Sequence, residues 1–375
     1  MKNLTFRNIA RACCWSGSVL LSLQLQGAQL DTWASQTSGT TSDFYAVAYG
    51  RGTFVAGGTN GLLHSSTDGM IWTPQASGTT NDLEGVTYGK GLFVAAGGRG
   101  SVITSTNGTT WVAQSSGFTS SFHAVTYGNG LYVAVGFGGA IWISTNAANW
   151  FPASSPTANS LQAVIWANGR YLACGYVGTI LTSPDGTNWT SQVSGSTVAL
   201  HTLAYGAGTF VVAGYTGDLR TSPDGVTWAS QVSGTPNSLR GSIYTNGNFV
   251  VTGFHGTIIS SPDGTNWVVR SSGVTDALRD VAHGLGAFVA VGHNGRIVRT
   301  VSLVAPTLAN ANFGGNTFKF SFASVNGLIY AIEYKSNLTD SGWTLLNTTN
   351  GTGGLIPIND TTATVPRRFY RVGTQ

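Results

Sequence analysis

Ser183-Pro184-Asp185-Gly186-Thr187-Asn188-Trp189 returns as Ser222-Pro223-Asp224-Gly225-Val226-Thr227-Trp228 and as Ser261-Pro262-Asp263-Gly264-Thr265-Asn266-Trp267. Looser copies end at Trp72, Trp111 and Trp150, and Trp33 stands at the front without a turn before it. The seven tryptophans fall at 33, 72, 111, 150, 189, 228 and 267, each 39 residues after the last. A fixed period in this range is the mark of a repeat architecture. Within the stretch, the Asp carboxylate can accept neighbouring backbone N–H groups and Gly takes a positive φ without steric cost. Pro fixes φ at the strand end. Trp then offers a large apolar face to bury. The unit reads as strand, tight turn, strand. One carboxylate per copy is too few for a calcium loop, which uses several at alternate positions.

Working outward, each unit places three strands before its turn. In the first they are Phe44 to Tyr49, Thr53 to Gly57 and Leu62 to Ser66, with a fourth expected over 72–78. The pattern restarts at Leu83, Phe122, Leu161, Leu200, Leu239 and Leu278. Four antiparallel strands per repeat is the content of a propeller blade. Seven three-strand sets are followed by only six Trp strands, and the set from Leu278 to Thr300 lacks one. The spare segment Trp33–Gly39 is expected to complete that last blade and close the ring, which removes exposed sheet edges.

Composition agrees with an all-β fold. Charged residues make up 9% of the chain and there are 52 glycines, so long helices with charged faces are not expected. The net charge of +4 is spread without any Lys/Arg run, which disfavours nucleic acid as a partner. Lys2, Arg7 and Arg11 precede an apolar run from Ala12 to about Leu25, the layout of a secretory signal peptide over 1–28. That run is short for a membrane span. The expected domains are this leader, a propeller over 29–305, and a small β-sandwich over 306–375. The last has strands expected at 316–323, 328–335, 343–347, 354–358 and 368–373. Cys13 and Cys14 fall in the leader, leaving Cys174 as a small core residue.

The turn resembles the Asp-box of bacterial neuraminidase-type (BNR) repeats, one residue shorter than the usual Ser-x-Asp-x-Gly-x-Thr-Trp. The whole unit, over about 31–304, resembles the WD40/YVTN/BNR-like repeat superfamily, which includes the photosystem II assembly and stability factor propellers. That resemblance implies a seven-bladed β-propeller. It leaves function open among sialidases, xyloglucan hydrolases, lectin-like proteins and assembly factors. The terminal segment, through Tyr330–Tyr334, Trp343 and Arg367–Val372, is similar to a β-sandwich module at the ends of secreted bacterial proteins, with attachment or accessory binding as its implied role. Glu333, Arg367 and Arg368 read there as solvated.

Variation among otherwise alike repeats points to the site. The residue after the apolar opener of each blade is Tyr45, Glu84, His123, Gln162, His201, Arg240 or Arg279, a polar ring expected at the channel mouth. The turn after the second strand holds Thr59, Gly98, Phe137, Tyr176, Tyr215, Phe254 and His293, five of them ring-bearing and in consecutive blades. Aromatic planes beside polar donors suit sugars or peptides. A glycosidase needs two carboxylates about 5–10 Å apart. Asp68, Asp185, Asp224 and Asp263 are committed to turns, which leaves Asp43, Asp82, Glu84, Asp276 and Asp280 near the expected face. Glu84 with Asp82 is the best catalytic pair, and Arg99, Arg240 and Arg279 could serve a sialidase. His123 and His201 sit two blades apart, so no metal site is expected, nor any cofactor. These readings favour a monomeric secreted, periplasmic or cell-surface bacterial propeller that binds a glycan or protein without catalysis. The alternatives are a glycoside hydrolase and an envelope assembly scaffold.

Overall fold

The computed structural model describes residues 12–13, 30, 32–300, 308–314, 317–324, 329–337, 342–352, 354–362 and 368–374. The chain forms two compact units, one of them Leu30–Thr300. Seven four-stranded antiparallel sheets make up that unit. We number them as blades 1 to 7 by their first strands: Phe44–Gly50, Leu83–Gly89, Phe122–Gly128, Leu161–Ala167, Leu200–Gly206, Leu239–Thr245 and Leu278–Gly284. Blade 7 takes its fourth strand from the N-terminal side. Trp33–Gln36 pairs antiparallel with Ile297–Thr300, Trp33 opposite Thr300 and Gln36 opposite Ile297. The ring is closed by this interlock.

In each blade the second strand is buried from its second residue to its last. Phe93, Val94, Ala95 and Ala96 are fully buried, as are Val211, Val212 and Ala213. Both faces of that strand meet neighbouring blades, so its sequence is continuous rather than alternating hydrophobic. The closing joint is packed like the others. Phe44, Phe54 and Trp72 of blade 1 share a cluster with Val289, Val291 and Ile297 of blade 7.

The recurring turn is a hydrogen-bonded knot. Ser183 Oγ accepts from Gly186 N at 2.8 Å and donates to Asp185 Oδ1 at 3.1 Å. The same Oδ1 accepts from the backbone N of Thr187 and Asn188 at 2.8 and 2.9 Å. Gly186 has φ +80°, a conformation that Gly enters freely. These donors hold the Asp185 carboxyl well below its usual range. Asn107 and Asn146 make equivalent bonds in blades 2 and 3 without a charge. The acid is therefore a turn-maker.

The tryptophan differs from its expected place. In six blades it precedes the fourth strand, which is as short as Thr73–Pro74 and Thr190–Gln192. Trp189 Nε1 donates to the Gly186 carbonyl at 2.9 Å, so the indole latches the turn while its ring packs into the core. Only Trp33 begins its strand.

One core position breaks the repeat pattern. His64 is buried with Nδ1 unpartnered. Ile103, Trp142, Leu181, Ile259 and Val298 stand at the same place in five other blades, and half-buried Arg220, paired to Asp218, in the sixth. Burial lowers the His64 pKa, so the folded protein holds it neutral. The stability this contributes is present above the unfolded pKa of about 6.5 and is lost as pH falls through the folded value. His64→Ile is expected to raise stability by about 1 kcal/mol at neutral pH and to flatten the loss between pH 7 and 4. Urea midpoints across that range measure both effects.

Among the described residues, the second unit contains two sheets. One orders Ala12–Cys13, Phe369–Thr374, Ile329–Lys335 and Thr344–Asn350; the other orders Leu308–Gly314, Thr317–Ala323 and Leu355–Asp360. Phe320, Phe322, Ile332, Ile358 and Val372 share one core. The strand Leu308–Gly314 was not expected, because its Asn and Gly content masks the pattern. Glu333 is not solvated. It is buried and ion-paired to Arg371 at 2.6 Å. Nor is Arg368, which reaches buried Asp360 at 2.6 Å and lies 4.0 Å over the Tyr334 ring. Arg367, Cys14 and, apart from Ala12–Cys13, the expected leader lie outside the described residues.

Candidate functional site

A bulge near the start of each first strand turns its second residue toward the ring axis. Register shifts occur at the same point in all seven, as between Leu200 and Thr202. The seven side chains thus presented, Tyr45, Glu84, His123, Gln162, His201, Arg240 and Arg279, line a single cavity of about 200 Å³. The structure thus brings the seven positions of the polar ring together around one cavity.

Its two sides differ in charge. On blades 2 and 3, Glu84 Oε2 lies 2.7 Å from His123 Nδ1. On blades 5 to 7, Arg240 donates from one terminal nitrogen to His201 Nδ1 at 3.1 Å and from the other to the Tyr215 hydroxyl at 3.3 Å. Its guanidinium sits 5.1 Å over the Tyr215 ring and 4.8 Å over Phe254. Arg279 lies 5.1 Å over Tyr45. Among the described residues, neither Arg240 nor Arg279 has a carboxylate partner. Burial first, then the charge of Arg279, lowers the pKa of Arg240.

His201 is neutral here. Burial and the charges of Arg240, Arg279 and His123 push its pKa down to about 3. Because Arg240 can only donate, His201 Nδ1 accepts, which leaves the ring proton on Nε2. That buried Nε2 has no partner, and neither does Arg240 Nε. Unsatisfied buried donors are costly and call for explanation.

The aromatic turn residues join this basic side. His201 meets Tyr215 edge-on at 4.7 Å and Tyr176 at 6.2 Å, and Phe254 lies 6.0 Å from His293. Tyr176, Tyr215 and Phe137 are exposed. Thr59 sits in the corresponding turn of blade 1, where its hydroxyl contacts the Asp43 carbonyl at 3.4 Å, and Gly98 opens that of blade 2.

Asp82 is placed otherwise than a catalytic partner of Glu84 requires. It is not among the cavity-lining residues. Its Oδ1 accepts the backbone N of Asn60 at 2.8 Å, tying the turn of blade 1 to blade 2. Asp43 does the same for Asn294 at 2.8 Å across the closing joint. Asp276 is engaged by Arg296 at 2.6 Å. Asp280 does line the cavity. It stands where other blades have Ala46, Gly85, Ala124, Ala163, Thr202 and Gly241, and that departure was the signal for it. Its two oxygens accept from Val47 N at 2.9 Å and Val281 N at 2.8 Å, joining blade 7 to blade 1. Desolvation raises its pKa to about 7 against the pull of those two donors. Cys174 is buried in the core and is not among the residues that line the cavity. No group of three or more His, Cys, Asp or Glu gathers among the described residues. Nor, among them, is any helix long and apolar enough to cross a membrane.

The four-stranded blades and the axial site define a β-propeller. Solved structures agree on that class. YCF48 bound to a D1 peptide is similar at a TM-score of 0.61 and 17% identity, over 72% of this chain and 95% of that one. YCF48 from Cyanidioschyzon merolae matches at 0.59 and 16%, over 72% and 98%. The WD40 propeller domain of Doa1 matches at 0.57 and 12%, over 72% and 96%. No protein-family model and no curated protein matches the chain.

Proposed function

We propose that this protein is a non-catalytic binding propeller that takes a protein segment at the channel-mouth face formed by Arg240, Arg279, His201 and the neighbouring aromatic turns. The observation that carries this is the pair of arginines lining one cavity, neither with a carboxylate partner among the described residues, beside the exposed aromatic turns. A folded protein tolerates such groups where a ligand completes them. The presence of a D1 peptide on the similar YCF48 propeller supports a polypeptide over a glycan. We place the repeat among the Asp-box type on its Ser-x-Asp-Gly turn. We also place the protein outside the cytoplasm, on the basic and then apolar order of residues 1–25.

The test presents the full chain in parallel to displayed random 12-residue peptides and to a glycan array. Selected peptides that fail to bind Arg240→Gln/Arg279→Gln would support the reading. Glycan binding with no peptide selected would contradict it.

One observation favours a second reading, a glycoside hydrolase. Glu84 and Asp280 line the same cavity, and Asp280 has the raised pKa of a general acid. Against it, both Asp280 oxygens are held by backbone donors at a blade joint. The binding reading predicts no cleavage of any arrayed glycoside by the wild-type chain. Turnover abolished by Glu84→Gln would establish the hydrolase instead.

A further inference from the structure

Seven turns after the second strands share one conformation, and each carries its middle residue at positive φ. These residues are Asn60, Arg99, Gly138, Val177, Thr216, His255 and Asn294, with φ between 53° and 66°. Gly and Asn enter this region readily, whereas a β-branched side chain there is strained. Thr216 compensates, because its hydroxyl donates to the Tyr215 carbonyl at 2.7 Å. Val177, at φ +55°, has no polar group with which to do so. It is also 66% exposed, so core burial does not explain it. A strained, exposed apolar residue at a loop tip points to a contact made outside the folded chain.

Its surroundings agree. Phe137 is 61% exposed on blade 3, Tyr176 is 43% exposed beside Val177 on blade 4, and Tyr215 is 37% exposed on blade 5. This apolar arm runs into the basic one without a break. Tyr176 meets His201, His201 meets Tyr215, and Arg240 lies over Tyr215. The two arms demand different chemistry of a partner, apolar side chains on one and negative charge on the other.

We propose that the tips of blades 3 to 5 and the arginines of blades 6 and 7 form one bipartite docking surface for a polypeptide segment in which an acidic group stands beside apolar residues. This rests on the protein-binding reading above and specifies its ligand. Charge complementarity fixes the acidic part, since among the described residues neither guanidinium is ion-paired to a carboxylate, Glu84 being engaged by His123 and Asp280 by backbone donors. Recession favours a peptide over an anionic bilayer. Arg240 and Arg279 line the recessed cavity, which a narrow chain can enter where a flat lipid surface cannot.

The experiment reads the sequences of 12-residue peptides selected on the full chain, then measures synthetic copies by fluorescence anisotropy. The expected clones pair Asp or Glu with Leu, Ile, Phe, Tyr or Trp. Val177→Gly is the decisive variant. Gly relieves the backbone strain, so its melting temperature should equal or exceed that of the wild type while affinity falls about tenfold. Arg240→Gln should weaken binding at least as much. Clones lacking acidic residues, or affinity unchanged in Val177→Gly, would overturn the bipartite surface and leave the protein-binding reading standing. No selected peptide, with binding instead to phosphatidylserine vesicles, would overturn both.

Discussion

Deleting residues 29–40 should lower the melting temperature of the propeller by about 10 °C or more, whereas removing 306–375 should leave it nearly unchanged. The deleted strand carries Trp33 and Leu30, both buried in a cluster with Val250, Val281 and Phe288. Burying side chains of this size stabilises by about 2–3 kcal/mol each. Four residue pairs also join Trp33–Gln36 to Ile297–Thr300. The sum is about 5 kcal/mol or more, comparable with the whole stability of many domains. Repeats contact mainly their neighbours, so losing one outer strand from an open array would be a local event. In a closed ring it also exposes the third strand of blade 7 and loosens the seam with blade 1. Calorimetry on the two truncated chains decides the matter, and equal melting temperatures would contradict the interlock.

The second large effect is expected at the two arginines. Arg240→Gln/Arg279→Gln should weaken binding of a selected acidic peptide by about 100-fold or more, because truncating one side of a desolvated charge pair costs about 2–5 kcal/mol. Stability should move the other way. The charge of Arg279 works against that of Arg240 in the free protein, and neither has a carboxylate partner among the described residues. Arg279→Gln alone should therefore raise the melting temperature while lowering affinity. A purely structural arginine would show the reverse. The wild-type affinity should also fall steeply with added salt.

Much of the fold was legible because a repeat states each rule seven times. The 39-residue step, the missing seventh Trp strand and the spare one at Trp33 together dictate ring closure. The polar ring was legible for the same reason, since Glu84, His123, Arg240 and Arg279 vary against a fixed frame. What the pattern hid was anything set by a single partner far away in sequence. Glu333 alternates like a solvated strand residue, yet Arg371 on the neighbouring strand takes it into the interior. Asp82 sits two residues from Glu84, but its oxygen is claimed by Asn60 of the preceding blade. Trp189 reads as the start of a strand because it follows a turn, and only the Nε1 bond to Gly186 reveals it as part of that turn. Asp280 was read near the expected face, and its departure from Thr202 and Gly241 at the same register marks it too. Val177 was within reach, an apolar β-branched residue where the other blades have Asn60, Arg99, Gly138, Thr216, His255 and Asn294.

Hydrogen exchange of the full chain, with and without its tightest selected 12-residue peptide, tests the central claim most directly. Protection is expected at the turns around 176–178 and 215–217 and at the starts of the first strands near 240 and 279, with the fourth strands unchanged. Protection confined to the fourth strands or to residues 308–374 would contradict it.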